Sequence, residues 1–336
     1  MPTILAIESS CDETSAAIIQ DSKIVSNVIA NQTIHRLYGG VVPELASRAH
    51  QQNIVPVVEQ ALVQANVPKK SLDAIAFTRG PGLLGALLVG VSFAKSMALA
   101  LQRPLIEVNH MQAHVLAHFI EPPLPSFPFL CLTVSGVHTQ IILVKDYLQM
   151  EIVGQTQDDA VGEAFDKTAK MLGMSYPGGP LIDRYAKAGN PQAYTFPKVA
   201  MPGFDYSFSG IKTAFLNFIN KNKQKDTDFI KHNLADLCAS MQQTLIQILL
   251  EKFQKAALHY QVNEVAIAGG VAANSGLRTQ LTELAKKEQW QVYIPAFQYC
   301  TDNAAMIAMA AHYKFLAEDF ASQEVSALAR LPFSAS

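Results

Sequence analysis

Residues 3–19 read TILAIESSCDETSAAII, and residues 129–144 read FLCLTVSGVHTQIILV. In each stretch an apolar run predicts a β-strand, a short polar segment predicts a turn, and a second apolar run predicts the returning strand. Residues 121–125 (EPPLP) lie between the two copies and predict a boundary, because proline lacks a backbone donor and blocks regular structure. Two lobes that open with the same hairpin predict an internal duplication, with a nucleotide held between the two polar turns.

Length and composition bound the class of protein. The chain has 336 residues, which is too many for one ordinary hydrophobic core, so two lobes are expected. Apolar residues make up 49% and charged residues 16%, which excludes a disordered chain. A net charge of −2 argues against a protein that grips RNA by itself, so a nucleic-acid role would depend on partners or on a local basic patch.

Cysteine usage and hydropathy indicate the compartment. No Cys-x-x-Cys pair occurs among the four cysteines, Cys11, Cys131, Cys238 and Cys300, which is typical of reduced thiols in the cytosol. The N-terminus has no basic region followed by a long apolar core, so no signal peptide is expected. The longest apolar run, residues 83–101, contains Lys95 and predicts a buried helix in preference to a membrane span. We therefore expect a cytoplasmic protein without a membrane partner.

A histidine pair follows the predicted strand 105–108. His110 and His114 are four residues apart on a predicted helix, so their rings share one face and can reach one divalent cation. Two imidazoles do not complete a site, and a third ligand, expected to be a carboxylate, must come from elsewhere in the chain. His118 lies about 80° further round the helix than this face, so it is the least suited of the three histidines to bind the same cation. An isolated pair at this spacing usually belongs to an ordinary helix, but three histidines on an apolar helix favour a metal.

Three carboxylates near the ends of predicted strands and helices are also candidate functional residues. Asp12 and Glu13 lie in the first polar turn, which either binds phosphate and Mg²⁺ or is an ordinary hairpin turn. Asp302 precedes a predicted small-residue helix and is either its N-cap or the third metal ligand, and the sequence alone favours the cap.

The second half of the chain offers further polar groups. Asp158 and Asp159 predict the N-cap region of a helix that Gly173 ends. On that helix Asp166 either accepts from a ribose or base edge or lies on a solvated face. Asn274 follows paired glycines at the end of a predicted strand, where ligands bind in open α/β sheets, and is either a ligand contact or a helix N-cap.

Several long motifs in one order make the chain similar to the TsaD (YgjD/Gcp) family, the tRNA N6-threonylcarbamoyladenosine synthase subunits. The resemblance runs nearly end to end. It is carried by residues 7–14 (IESSCDET), 38–48, 80–82 (GPG), 110–114 (HMQAH), 162–167 (GEAFDK), 176–180 (YPGGP), 208–210 (FSG), 268–274 and 300–303 (CTDN).

The resemblance implies an α/β fold of two ribonuclease H-like lobes of the actin/Hsp70/sugar-kinase (ASKHA) class, with a nucleotide cleft between them. We expect an N-terminal lobe in residues 1–126 with the metal histidines and a C-terminal lobe in residues 127–302. A terminal helix in residues 303–336 is expected to pack back on the N-terminal lobe.

The resemblance also implies the site. His110, His114 and Asp302 would share one metal ion, with Fe²⁺ expected, Zn²⁺ as the alternative, and Mg²⁺ left open as a companion of the nucleotide. The adenylate of threonylcarbamoyl-AMP would contact Thr133, Val134, Ser135, Gly136, Val137, Asp166, Gly179, Asp183 and Asn274. Family members usually read Ser-Gly-Gly-His in the middle turn, and Val137 replaces the second glycine here. A β-branched residue resists positive φ and crowds an approaching phosphate, so this turn is where a departure is expected.

The implied activity is transfer of the threonylcarbamoyl group to N6 of the adenosine 3′ to the anticodon, in tRNAs that read codons beginning with A. Implied partners are the inactive paralogue TsaB, the ATPase TsaE and the upstream enzyme TsaC. Asp12 or Glu13 is our hypothesis for the base that accepts the N6 proton, because the duplication aims their turn at the nucleotide.

Three other functions fit less well. A zincin metalloprotease needs a glutamate directly after the first histidine as its base, and Met111 occupies that position. A small-molecule kinase of the same fold class gives no reason for a His/His/Asp trio. A non-catalytic scaffold would lack the metal histidines, and this chain keeps both.

Overall fold

The computed structural model describes residues 2–30, 35 and 38–333. The chain forms two compact units: the first comprises Met1–Leu124, Lys145–Glu151 and Pro295–Ser336, and the second comprises Pro125–Val144 and Ile152–Ile294. Residues 145–151 and 295–302, which the sequence assigns to the C-terminal lobe, belong to the first unit, and residues 125–126 belong to the second.

The chain contains two five-stranded sheets. The first consists of β1 (Thr3–Glu8), β2 (Thr14–Gln20), β3 (Lys23–Ala30), β4 (Ala74–Gly80) and β5 (Leu105–Asn109), in the order β3-β2-β1-β4-β5. The second consists of β6 (Phe129–Val134), β7 (Thr139–Asp146), β8 (Gln149–Gln155), β9 (Glu264–Ala268) and β10 (Gln291–Tyr293), in the order β10-β9-β6-β7-β8. Both sheets place their strands in the order third, second, first, fourth, fifth, with an antiparallel opening hairpin and a parallel fourth strand. This shared topology confirms the duplication and the α/β fold class.

The helices of the described residues are α1 (Pro43–Ala65), α2 (Leu84–Leu101), α3 (His110–Leu116), α4 (Val161–Met171), α5 (Gly179–Ala186), α6 (Ser209–Lys223), α7 (Phe229–Tyr260), α8 (Ser275–Glu288) and α9 (Ala304–Leu316). Short 3₁₀ segments occupy Lys69–Ser71, Ala117–Phe119, Gly270–Ala273 and Phe297–Tyr299.

The first sheet is covered by helices on both faces. Leu5 and Ile7 of β1 pack in one apolar cluster with α1 and α2. Ile4 and Ala6 alternate with them, are equally buried, and therefore face the opposite layer, where α9 packs against β1 and β2. Burial on both faces explains why β1 reads as a continuous apolar run.

Helix α2 is the one helix of the described chain long and apolar enough to cross a membrane, with a mean hydropathy of 1.8. Leu87, Val91, Ala94 and Ala98 pack against the first sheet and α1, so the predicted burial is confirmed for one face of the helix. The outward face of the helix exposes Leu84, Leu88 and Leu99.

Candidate functional site

Strand β5 delivers the two histidines at the start of a well-capped helix. The Asn109 side chain accepts hydrogen bonds from the backbone N–H groups of Met111 and Gln112, at 2.9 and 3.4 Å, and so caps the N-terminus of α3. His110 and His114 lie one turn apart, are both buried, and have ring centroids 4.7 Å apart in an edge-to-face arrangement. The predicted shared face is confirmed.

Asp302 completes the cluster. Its Oδ1 lies 3.4 Å from Nε2 of His110 and 3.3 Å from Nε2 of His114. One ligand atom from each of the three residues lies within 4.8 Å of the others. The N-cap that the sequence favoured for Asp302 is wrong, because Asn303 caps α9 by accepting from the N–H of Met306 at 3.1 Å. His118 lies outside the cluster, on the 3₁₀ segment after α3.

A buried carboxylate that sequence reasoning missed orients the first histidine. Glu8 is 0% exposed, and its Oε2 lies 3.1 Å from Nδ1 of His110. The same carboxylate accepts from the backbone N–H of Ser10 and, at 2.6 Å, from the hydroxyl of Thr78. A carboxylate on Nδ1 fixes the ring so that Nε2 faces the ligand position, which is the usual second layer of a histidine metal site. Glu8 belongs to the motif at residues 7–14, but no local pattern in the sequence links position 8 to position 110.

The charges of the cluster are strongly coupled. Burial would raise the pKa of Asp302, but the two histidines outweigh it and hold that pKa far below its ordinary value. Burial would lower the pKa of His110, but Asp302 and Glu8 raise it well above its ordinary value. Burial lowers the pKa of His114. Two carboxylates facing two buried imidazoles favour a positive charge at this point, and the two-imidazole, one-carboxylate donor set fits a divalent metal ion with open positions.

The first polar turn belongs to the same electrostatic environment. Burial raises the pKa of Glu13 to about 9, and the charges of Asp302 and Asp12 add to the effect. The turn is tied to the neighbouring loop, because the N–H of Leu83 donates to the carbonyl of Ser10 at 2.8 Å.

The middle turn is shaped by a serine. The Ser135 hydroxyl oxygen accepts from the N–H of His138 at 2.9 Å and lies 3.3 Å from the N–H of Val137. The Val137 side chain is 73% exposed, and its backbone does not adopt a positive φ. Valine in place of the family's glycine at position 137 therefore causes no backbone strain. The carbonyl of Ser135 accepts from the N–H of Gly162 at 3.1 Å, which sets the start of α4 beside the turn.

Two more of the predicted contact residues, Asp166 and Gly179, bond to each other, whereas Asp183 bonds to Ser275 at the start of α8. Asp166 accepts from the N–H groups of Gly178 and Gly179 at 2.8 and 3.1 Å, so the solvated-face alternative is wrong. Burial raises the pKa of Asp166 although both N–H groups oppose the shift. Asp183 accepts from the Ser275 hydroxyl at 2.8 Å.

Strand β9 is followed by two glycines, Gly269 and Gly270, and then by Asn274 at the start of α8. Asn274 caps α8 by accepting from the N–H of Leu277 at 2.9 Å, and its amide donates to Gln242 at 2.7 Å. The cap alternative is thus confirmed for Asn274. Gly269 has a φ of +88°, and a Cβ there would lie 2.4 Å from the carbonyl oxygen of Val134, so only glycine allows the end of β9 to meet β6.

The profile of the family described as TsaD: tRNA N6-adenosine threonylcarbamoyltransferase matches residues 23–309. A protein of Cytophaga hutchinsonii with the same description is 63% identical over 98% of this chain and 96% of its own length. The chain belongs to the TsaD family. A relative from Riemerella anatipestifer, also a tRNA N6-adenosine threonylcarbamoyltransferase, is 60% identical over 97% of each protein. The resemblance found in the sequence is confirmed.

Two solved structures share the fold of this TsaD-family chain at low sequence identity. HypF of T. kodakarensis matches with a TM-score of 0.65 and 14% identity, over 97% of this chain and 50% of HypF. The (R)-2-hydroxyglutaryl-CoA dehydratase component A of Acidaminococcus fermentans matches with a TM-score of 0.54 and 16% identity, over 94% of this chain and 99% of the other.

The N-cap prediction for Asp158 in this TsaD-family chain is wrong. Helix α4 has Ala160 at its N-cap position and no side-chain cap. Asp158 instead accepts from the hydroxyls of Ser207 and Ser209, both at 2.6 Å, and from the N–H of Phe208 at 2.8 Å. It therefore secures the loop that precedes α6, some fifty residues away. Helix α4 ends before Gly173, which has a φ of +77°, as predicted.

Proposed function

We propose that this protein transfers the threonylcarbamoyl group from threonylcarbamoyl-AMP to N6 of the adenosine 3′ to the anticodon, in tRNAs that read codons beginning with A. The observation that carries the proposal is the His110/His114/Asp302 cluster backed by Glu8, in a chain that belongs to the TsaD family over nearly its whole length. The metalloprotease alternative lacks its base, since Met111 is a buried apolar residue.

We propose that the cluster holds one Fe²⁺ or Zn²⁺ ion. Imidazole nitrogens with a single carboxylate suit these metals, whereas Mg²⁺ prefers sites built from oxygen ligands. When bound, such an ion supplies Lewis-acid polarisation of the carbamoyl oxygen or a template for the threonyl carboxylate. Glu8 orients the His110 ring so that Nε2 faces the ion. Any Mg²⁺ would bind with the nucleotide and not at this cluster.

Proton removal from N6 is assigned to the first polar turn. Asp12 or Glu13 would accept the proton that N6 loses as it attacks the carbamoyl carbon. The raised pKa of Glu13, about 9, would keep its carboxyl protonated at neutral pH. A cation beside Asp302 would offset one of the charges that raise this pKa and so favour the ionised, basic form of Glu13.

The adenylate is assigned to the second unit. The N–H groups and hydroxyl of the turn at residues 133–137 (Thr133, Val134, Ser135, Gly136, Val137) would hold the phosphate that leaves. Asp166, Gly179, Asp183 and Asn274 would contact the ribose and base. Asp166 and Asp183 each retain carboxylate lone pairs beyond the hydrogen bonds described above, because one carboxylate offers about four acceptor positions.

The partners are assigned on the same footing. We propose that the chain works with TsaB, TsaE and TsaC, and that tRNA is bound by the assembly, because the chain's net charge of −2 offers little attraction for phosphate. We propose that the paralogue TsaB binds in the groove between α1 and α2, which has a volume of about 1000 Å³. Leu88, Val89 and Phe93 of α2 line the groove together with Ile54 of α1, and Leu88 is exposed, so a partner seated there would bury apolar area.

Reconstitution tests the proposal. The purified chain, loaded with Fe²⁺ or Zn²⁺, is mixed with threonylcarbamoyl-AMP, tRNA and the candidate partners, and the modified adenosine is measured by mass spectrometry. We expect product with the parent and none with His114→Ala, a variant whose ion content is read independently by elemental analysis. Metal bound at the cluster without product under every partner combination would contradict the transferase activity. ATP-dependent phosphorylation of a small molecule would support the kinase instead.

A further inference from the structure

His50 on α1 is a buried histidine that the proposed mechanism does not use. It is 0% exposed, and both of its ring nitrogens have partners in the first polar turn. Nδ1 lies 2.8 Å from the hydroxyl of Thr14, and Nε2 lies 3.0 Å from the carbonyl oxygen of Cys11. The two residues that flank Asp12 and Glu13 are therefore joined through one imidazole ring.

The partners determine the tautomer of the ring. A carbonyl oxygen only accepts, so Nε2 of His50 carries the proton and donates to Cys11. Nδ1 is then the acceptor for the hydroxyl of Thr14. Burial lowers the pKa of His50, which keeps the ring neutral with one donor and one acceptor, as this pair of bonds requires.

The His50 ring is carried by a long helix that packs against the first sheet. Helix α1 spans Pro43–Ala65, packs against β2 and β3, and is further fixed where the Ser26 hydroxyl donates to the carbonyl of Ala61 at 2.8 Å. Sites held by helices and strands are more accurately positioned than sites held by loops alone. Through His50 the turn takes its position from α1 as well as from its own strands.

We propose that His50 is a positioning residue that clamps the turn from Cys11 to Thr14, so that the carboxylates of Asp12 and Glu13 meet the attacking amine. The proposal rests on the proposed function for the role of these carboxylates, whereas the clamp itself is a property of the turn. The ring does not touch the metal cluster, so its loss should affect catalysis and spare ion binding.

The variants separate the two hydrogen bonds. His50→Leu removes both. His50→Gln retains a donor near the place of Nε2, and Thr14→Val removes the hydroxyl with little change of shape. His312→Leu is the matched control, a buried histidine of the same unit on α9 that lies outside the turn.

In the reconstituted complex we expect His50→Leu to lower kcat by about 100-fold, because displacement of a catalytic group by about 1 Å costs this much. The KM for threonylcarbamoyl-AMP and the affinity for Co²⁺ at the cluster should stay within about twofold, because the residues that bind adenylate and ion are untouched. Thr14→Val should lower kcat less, His50→Gln should restore part of the activity, and His312→Leu should retain it.

Hydrogen exchange supplies a readout that does not need activity. The amides of residues 11–14 should exchange faster in His50→Leu than in the parent, with the sheet core unchanged. Unchanged exchange there, or unchanged kcat in both His50→Leu and Thr14→Val, would overturn the clamp. If His50→Leu fails to fold, Thr14→Val decides. If the parent complex makes no modified adenosine, the proposed function fails, and the exchange experiment still tests the clamp.

Discussion

Replacement of Glu8 by glutamine tests how the metal cluster is built. The side chain keeps its size but loses its charge and one of its two acceptor oxygens. Glu8 receives hydrogen bonds from the N–H of Ser10 and the hydroxyl of Thr78, and its Oε2 faces Nδ1 of His110 at 3.1 Å. A single amide oxygen cannot satisfy all three groups, and the amide NH₂ must face one of them as a second donor.

The cost divides between ion binding and stability. Loss of an outer partner of a metal-bound histidine typically lowers metal affinity by about 10- to 100-fold, which corresponds to about 1.4–2.8 kcal/mol. One buried donor left unpaired costs about 1–3 kcal/mol of unfolding free energy. Burial would raise the pKa of Glu8, but His110 outweighs it and keeps the pKa low, so the carboxylate that is lost is the ionised form.

Cobalt provides the assay, because its visible absorption reports the number and type of ligands. Co²⁺ titration with a competing chelator should give a dissociation constant about 10- to 100-fold higher for Glu8→Gln than for the parent. Glu107→Gln is the matched control, since Glu107 pairs with Arg79 at 2.8 Å in the same unit and does not contact the histidines. A Glu8→Gln affinity within about twofold of the parent would refute the orienting role, and an equal loss in both variants would point to a general effect of charge.

Three further perturbations address other parts of the chain. Burial would raise the pKa of Asp158, but hydrogen bonds from Ser207 and Ser209 outweigh it and hold the pKa below its ordinary value of 3.8. The ionised carboxylate therefore stabilises the fold above pH 3.8, and this stabilisation is lost as the pH falls through the lower pKa of the folded state. Asp158→Ala should cost about 1 kcal/mol at neutral pH by chemical denaturation, and the difference from the parent should shrink in acid; a pH-independent difference would contradict this account. Val137→Gly should change the KM for threonylcarbamoyl-AMP by less than about twofold, since the side chain is exposed and unstrained; a larger change would show that this side chain contacts substrate. Leu88→Glu should weaken binding of TsaB by at least about tenfold in calorimetry without changing Co²⁺ affinity, and unchanged binding would exclude the groove between α1 and α2 as its contact.

The local pattern of apolar and polar residues was sufficient to predict the strands and helices and the internal duplication. Hydrophobic runs predicted the hairpins β1–β2 and β6–β7, and a helical spacing predicted the shared face of His110 and His114. These features depend on neighbours within a few positions, where periodicity and turn residues carry the information. The resemblance to the TsaD family then supplied Asp302, which periodicity alone assigned to a helix cap.

Only the tertiary structure decided which polar groups meet. Asp302 and Asn303 are both residue types that commonly cap helices, so the local sequence does not decide which of them caps α9. In the structure Asn303 is the N-cap. Asp158 bonds to the loop before α6, and Glu8 reaches His110 across about one hundred positions of sequence. A buried carboxylate requires partners, but the chain topology determines which residues lie within hydrogen-bond distance, and no short-range pattern encodes that distance. The sequence therefore specified the strands, the helices and the histidine face, while the fold brought Glu8 to His110, Asp302 to the same imidazoles, and His50 to the turn that carries Asp12.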